Sequence, residues 1–268
     1  MTWIDTVLRL RSRRAPAVLI TLVEVRGHAP REAGTKMVAT IDELFETIGG
    51  GNLEMTAVAR ARQMLTDSQD VPETMTLRLN DKAPATYGRQ CCGGEVTILL
   101  EPLAVPEAVA IFGVGHVGLE LARILSRQDI DLYLSDSRAE NLQGLEALEP
   151  SVARIHPRPA VIGEEVLSRL PCGTHVLIMT HDHAEDFHLC DAALRHPKLG
   201  SIGLIGSNAK WQRFRKNLVD SGHEANAIER INCPIGDPEV IGKDPATIAV
   251  SVAADLLKRM NKVGAVKV

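Results

Sequence analysis

Apolar positions recur along the chain with two different rhythms, and the change falls at the proline-bearing stretch Glu101–Ala108. In the first half, the run VLITLVEV from Val18 is dense in β-branched residues, the pattern of a buried strand. A loop, RGHAPREAG, separates it from a second strand predicted over Lys36–Thr40. LFETI then leads into Gly49-Gly50-Gly51, and helical periodicity follows from Asn52 to Leu65 with Asn52 in place to cap it. TMTLRLN and EVTILLE read as strands on either side of a loop carrying Cys91-Cys92-Gly93-Gly94. These elements predict a mixed α+β domain over residues 1–103, its sheet built from hairpin-like returns.

From Val109 onward strands and helices alternate. VAIFGVG leads to a helix over His116–Ser126, and DLYLSD follows as a strand. After an intervening αβ stretch come HVLIMTHD, a helix through Asp191–Leu194, the strand GSIGLIG and a helix starting near Ser207. The last helix has Asp244 as N-cap and Pro245 in its first turn. Such alternation implies βαβ crossovers, hence a doubly wound parallel sheet over residues 107–268. The fold class expected is therefore α/β, an N-terminal mixed domain followed by a Rossmann-like one.

Composition narrows the function classes. Hydrophobic residues make up 45% of the chain and aromatics only 3%, so the interior is expected to be aliphatic and no aromatic platform for single-stranded nucleic acid is indicated. A net charge of −4 argues against non-specific binding to a polyanion. The cluster Arg9, Arg11, Arg13 and Arg14 reads as a solvated helix face. No segment approaches the about 18 apolar residues that span a bilayer, and the N-terminal segment lacks the pattern of a signal peptide. Five cysteines, scattered apart from one adjacent pair, favour a reducing cytoplasm over a disulfide framework. Cys172, Cys190 and Cys233 lack metal-site spacing and are expected to be packing residues.

Two motifs carry candidate chemistry. Gly113-Val114-Gly115-His116-Val117-Gly118 matches GxGxxG after a strand and at the opening of a helix, and Asp136 ends the next strand, where a ribose-binding acid belongs. The helix start favours an anion. The loop can serve a dinucleotide such as NAD, the phosphate of another cofactor, or the turn alone. The second motif is GRQCCGGEV. Gly93 and Gly94 permit backbone conformations that present a thiol, and Arg89 favours a thiolate; two small buried side chains are the plainer alternative for Cys91 and Cys92.

Taken in order, GHAPREAGTKM, IGGGNLE, GRQCCGG, GVGHVG, SDSR, THDHAED and GLIGSNAK, with the closing PIG and DPATIAVSVAADLL, resemble the xanthine dehydrogenase accessory protein family of the XdhC and CoxI type. The resemblance spans nearly the whole chain. One small departure is Asp42-Glu43-Leu44, where an Asp-Gly hairpin turn is expected. The resemblance implies a chaperone that binds the molybdenum cofactor, supports its sulfuration with a cysteine desulfurase and delivers it to an apo-molybdenum hydroxylase.

A sulfur-rich cofactor with a phosphate calls for thiols, fixed cations and backbone N–H groups together. Cys91 and Cys92 are the candidates for the metal. Arg31 and Lys36 are candidates for the anionic end, with surface charge on a turn as the alternative. Glu54 follows the triple glycine, where capping the helix is the plainer of its two roles. His181, His183 and Asp186 stand at the end of a strand, open to a metal, to hydrogen bonding of a cofactor, or to a polar loop. Ser207 and Lys210 form a second candidate anion site at a helix start, and His116 faces the crevice or solvent. A homodimer is compatible with all of this. The competing classes are an NAD-dependent oxidoreductase, for which Asp136 would select NAD, and a sulfur-transfer protein carrying a persulfide on Cys91 or Cys92.

Overall fold

The computed structural model describes residues 2–79, 93–143, 145–148, 150–196 and 198–263. Cys91 and Cys92 lie outside the described residues. The chain divides into two compact units, Met1–Val105 and Pro106–Val268.

The first unit is a five-stranded antiparallel sheet with a helix on each face. Its elements are α1 (Trp3–Ser12), β1 (Ala17–Arg26), β2 (Lys36–Ala39), β3 (Leu44–Glu46), α2 (Gly51–Thr66), β4 (Glu73–Arg78) and β5 (Glu95–Leu103), with strand order β3-β2-β1-β5-β4. β1 lies at the centre, and its unbroken apolar run has a simple cause. Val18, Ile20 and Leu22 pack with α2 residues Leu53, Ala57, Val58, Ala61 and Met64, while Ala17 and Leu19 pack with Leu10, Val7 and Trp3 of α1. A strand covered on both faces loses the alternation of a half-buried one. β2 and β3 form a hairpin despite the missing glycine: the Thr40 hydroxyl accepts from the amides of Asp42 and Glu43 and closes the turn. β5 runs through Leu103 and the next strand starts at Glu107, so most of the predicted linker is strand.

The second unit holds β6 (Glu107–Phe112), α3 (His116–Leu125), β7 (Ile130–Ser135), β8 (Arg154–Pro157), α4 (Gly163–Leu167), β9 (His175–Ile178), α5 (His183–Arg195), β10 (Ser201–Leu204), α6 (Asn208–Asp220), α7 (Ala225–Ile228), β11 (Ile231–Asn232) and α8 (Pro245–Val263). All six strands are parallel, in the order β11-β10-β9-β6-β7-β8. That is a doubly wound sheet whose order reverses between β6 and β9. α3 and α8 bury Leu121, Leu125, Val252 and Leu256 on one face; α4, α5 and α6 bury Leu167, Leu189, Phe214 and Leu218 on the other. The side chains of β6 divide accordingly, Val109 and Ile111 to the first core, Ala110 and Phe112 to the second. α8 opens as expected, with the Asp244 carboxylate accepting from the Thr247 amide at 2.9 Å. Among the described residues no helix is long and apolar enough to cross a membrane.

Candidate functional site

In the first unit three glycine-bearing loops meet. Gly27 adopts φ +75°, and a Cβ placed on it would lie 3.2 Å from the Gly94 Cα. A Cβ on Gly94 would fall 2.2 Å from the His28 carbonyl oxygen. Gly49, with φ +121°, leaves no room either: its Cβ would sit 2.6 Å from Pro30. The stretch GHAPREAG is therefore seated against IGGG on one side and against the glycines after the cysteine pair on the other. Leu79 and Gly93-Gly94 exchange backbone hydrogen bonds at 2.8 and 2.9 Å, which anchors both ends of the segment that carries Cys91 and Cys92.

Glu54 organises the triple-glycine loop. Its Oε2 accepts from the amides of Ile48 and Gly50, both at 3.1 Å, and from the Thr47 hydroxyl. The N-cap of α2 is Gly50, at φ +72°, with no capping side chain; Asn52, expected there, is buried in the first turn instead. A carboxylate in the first turn supplies what an N-cap side chain usually does. Arg31 is exposed on the loop beside Gly49. Lys36 points elsewhere: its Nζ donates to Thr21 Oγ1 at 2.9 Å and lies 5.4 Å from the centre of the Trp3 ring.

In the second unit a cavity of about 660 Å³ opens at the carboxyl ends of β6 and β9. Its lining includes Gly115, His116 and Gly118 of the fingerprint, His181 after β9, and Arg138, Asn141 and Thr180. This is the crevice at which doubly wound sheets take ligands. Gly113 shapes it from beneath, its φ of +97° and its approach to Met179 admitting no side chain. Asp136 is 3% exposed and does not line the cavity. Burial works against its charge, but hydrogen bonds from Asn141, Arg138 and Val114 outweigh that and hold the carboxyl below its ordinary value.

The remaining predicted residues stand off this cavity. His183 is the exposed first residue of α5, with its Nδ1 3.2 Å from Arg213. Ser207 caps α6 by accepting from the Lys210 amide at 3.3 Å. Lys210 is committed to the interior, its Nζ 2.5 Å from Asp186 Oδ2 and 2.9 Å from the Ile205 carbonyl. Asp186 is fully buried and also accepts from the Thr180 amide. Among the described residues no group of three His, Cys, Asp or Glu side chains is placed to hold a metal ion. Cys190 and Cys233 pack inside as expected, burial pushing the Cys233 thiol up to about 11 and the Cys190 thiol further; Cys172 is exposed.

Arg138, Asn141 and Thr180 line the cavity without having been singled out from the sequence, and Ser137 and Glu185 likewise stand unannounced beside Asp136. Arg138 sits in the SDSR motif, but nothing in the pattern marks it as a cavity residue. The Ser137 hydroxyl donates to Glu185 Oε2 at 3.2 Å, and burial raises the Glu185 carboxyl above its ordinary value, the Ser137 bond opposing it.

Comparison with known proteins finds matches in both units. The model described as the XdhC Rossmann domain matches residues 109–256, and that of the XdhC and CoxI family matches residues 10–78. The uncharacterized protein YqeB of Escherichia coli strain K12 is 26% identical over 253 residues, covering 94% of this chain. The chain spans only 45% of the length of YqeB. The molybdenum cofactor insertion chaperone PaoD of the same organism is 24% identical over 277 residues, covering 90% of this chain and 82% of PaoD. A crystal structure described as a xanthine dehydrogenase from Bacillus halodurans aligns with 98% of this chain and 96% of its own at 18% identity, with a TM-score of 0.49. The matched Rossmann domain alone accounts for more than half of the chain, and the protein belongs to the XdhC and CoxI family.

Proposed function

We propose that this protein is an accessory factor that holds the molybdenum cofactor as cargo and inserts it into a molybdenum hydroxylase of the xanthine dehydrogenase type. The observation that carries the reading is family membership across both units, together with the likeness of nearly the whole chain to a molybdenum cofactor insertion chaperone. The geometry supports it. The glycine loops of the first unit seat the flanks of the cysteine segment, and the second unit has a crevice at its switch point, lined by the glycine fingerprint.

On this reading Cys91 and Cys92 face the metal and its sulfur ligands, for which thiolates are suited. Gly93 and Gly94 shape the approach, and Arg31 meets the anionic part of the cargo. Gly115, His116, Gly118 and His181 receive a phosphate in the second unit. Lys36, Asp136, Ser207 and Lys210 act from behind these surfaces, and His183 from the rim. Sulfuration of the cargo, with a cysteine desulfurase as donor, belongs to the same proposal, as do a hydroxylase subunit as recipient, a cytoplasmic setting and a homodimer. The engaged carboxylate of Asp136 gives the NAD-dependent oxidoreductase no support.

The test is binding of isolated molybdenum cofactor to the pure protein, wild type against Cys91→Ala and Cys92→Ala, with NAD as competitor. Tight binding, weakened about tenfold or more by either change and indifferent to NAD, is expected. Saturable binding of NAD without binding of the cofactor overturns the proposal.

A further inference from the structure

Two of the three fingerprint glycines are explained by the fold. A Cβ on Gly113 would lie 2.3 Å from the Met179 carbonyl oxygen, and one on Gly118 would lie 2.1 Å from that of Gly113. Gly115 is different. Its φ is −74°, open to any residue, and nothing stands within 4 Å of where its Cβ would be. It is the N-cap of α3 and lines the cavity, so its bare backbone leaves the first amides of the helix open to that space.

Asp136 stands where a dinucleotide fold keeps the acid that reads the adenosine ribose. Here both carboxylate oxygens are spent on the protein. Oδ2 accepts from the Val114 amide at 2.7 Å and from Asn141 Nδ2 at 2.9 Å. Oδ1 accepts from the Arg138 amide at 2.9 Å and, at 3.4 Å, from Arg138 Nε. The bond to Val114 fixes the residue between the first two glycines, so this carboxylate sets the shape of the turn. Arg138 and Asn141 line the cavity, whereas Asp136 does not. The Arg138 side chain is 39% exposed, and its long contact with Asp136 uses one of five guanidinium N–H groups.

We propose that Asp136 is a positioning residue that locks the Gly113–Gly115 turn and that Arg138 is the anion contact of this cavity, which takes a phosphorylated ligand by its phosphate and not a dinucleotide by its ribose diol. This rests on the cofactor reading above, because the phosphate in question would be that of the cargo. Arg138 suits the role, since guanidinium pairs with phosphate oxygens through two parallel hydrogen bonds.

The experiment uses the full chain, with inorganic pyrophosphate and NAD as calorimetric probes and hydrogen exchange read on peptides covering residues 111–117. Arg138→Gln is expected to weaken pyrophosphate about tenfold and to leave exchange unchanged. Asp136→Leu is expected to weaken it comparably while speeding exchange in the turn. Asp136→Asn, which keeps an oxygen for the Val114 amide, is expected to restore most of both; a role confined to overall stability would not give this local, graded response. NAD is expected to bind no tighter than pyrophosphate. The proposal is overturned if pyrophosphate fails to bind at millimolar concentration, or if Arg138→Gln leaves its affinity intact. It is equally overturned if NAD binds tenfold tighter and loses that advantage in Asp136→Asn without a change in exchange. Should Asp136→Leu not fold, Asp136→Asn and Arg138→Gln decide the matter. Cofactor binding is measured on the same preparations: cofactor retained without pyrophosphate binding sinks this inference alone, and the converse sinks the assignment of the cargo.

Discussion

A single carbon atom separates the structural glycines of the crevice from the one that faces its open space. Gly118 lies in the first turn of α3, pressed against the Gly113 carbonyl, so Gly118→Ala must push backbone against backbone. Overpacking of this kind costs about 1–3 kcal/mol, and contact with a carbonyl oxygen, which has little freedom to move, puts it at the upper end. Gly115→Ala meets only open space. As a change at an N-cap it costs about 1 kcal/mol or less, yet it places a methyl group where the bound phosphate would approach the amides. The expected result is a clear split. Urea unfolding should show Gly118→Ala markedly destabilised and Gly115→Ala close to wild type, while cofactor or pyrophosphate binding should fall sharply in Gly115→Ala. Equal stability loss in the two variants, or full ligand affinity in Gly115→Ala, would remove the distinction.

Between elements, the decisive contact joins α5 to α6. Asp186 of α5 and Lys210 of α6 form an ion pair in which the side chains are 0% and 9% exposed. Thr180, at the end of β9, donates its amide to the same carboxylate, and the Ile205 carbonyl, just after β10, accepts from the same ammonium. The pair thus ties two helix starts to the two strand ends that border the crevice. Breaking such a buried pair from one side typically costs about 3–5 kcal/mol, because the other charge is left without a partner. Lys210→Met should show a loss of that order in urea unfolding, and adding Asp186→Asn should recover much of it by removing the orphaned charge. A double variant no better than the single one would mean that the pair is not what the two helices depend on. From the sequence, Lys210 and Ser207 suggest an anion site at a helix start, and His181, His183 and Asp186 suggest a ligand set. The same letters fit an interior ion pair, since the partner of Lys210 lies 24 positions away and no local pattern reveals it.

At the scale of the whole molecule, the legible features are those set by period and by burial on two faces. The alternation from β6 to β10 follows from apolar runs interrupted by glycine and helix caps, and the central place of β1 follows from its unbroken hydrophobicity. The two-residue β11, the edge strand β8 and the five-residue α4 are too short to impose a period. The role of Asp136 escaped for another reason: an acid at the end of the second strand has the same spacing whether it reads a ribose or holds a turn. That ambiguity leaves a mark on the stability of the protein against acid. Asp136 is held below its ordinary value in spite of burial, by bonds from Asn141, Arg138 and Val114. Asp191 is lowered first by its hydrogen bond from Arg195, against burial and with a further bond from His223. A carboxyl lowered in the folded state contributes stability that is present above its unfolded value, about 3.9 for Asp, and is lost as pH falls through the folded one. Glu185 runs the other way. Burial raises it, so its ionisation costs stability once pH climbs past the unfolded value, about 4.3 for Glu. Melting curves from pH 2.5 to 7.5 should therefore show stability falling steeply below about pH 4, and Asp191→Asn should flatten that limb while lowering the melting temperature at neutral pH. Glu185→Gln should raise the melting temperature at pH 7.5 and have no effect at pH 3, where the wild-type carboxyl is already protonated. A Glu185→Gln protein less stable at pH 7.5 would show that the bond from Ser137, and not burial, governs this carboxyl at the edge of the crevice.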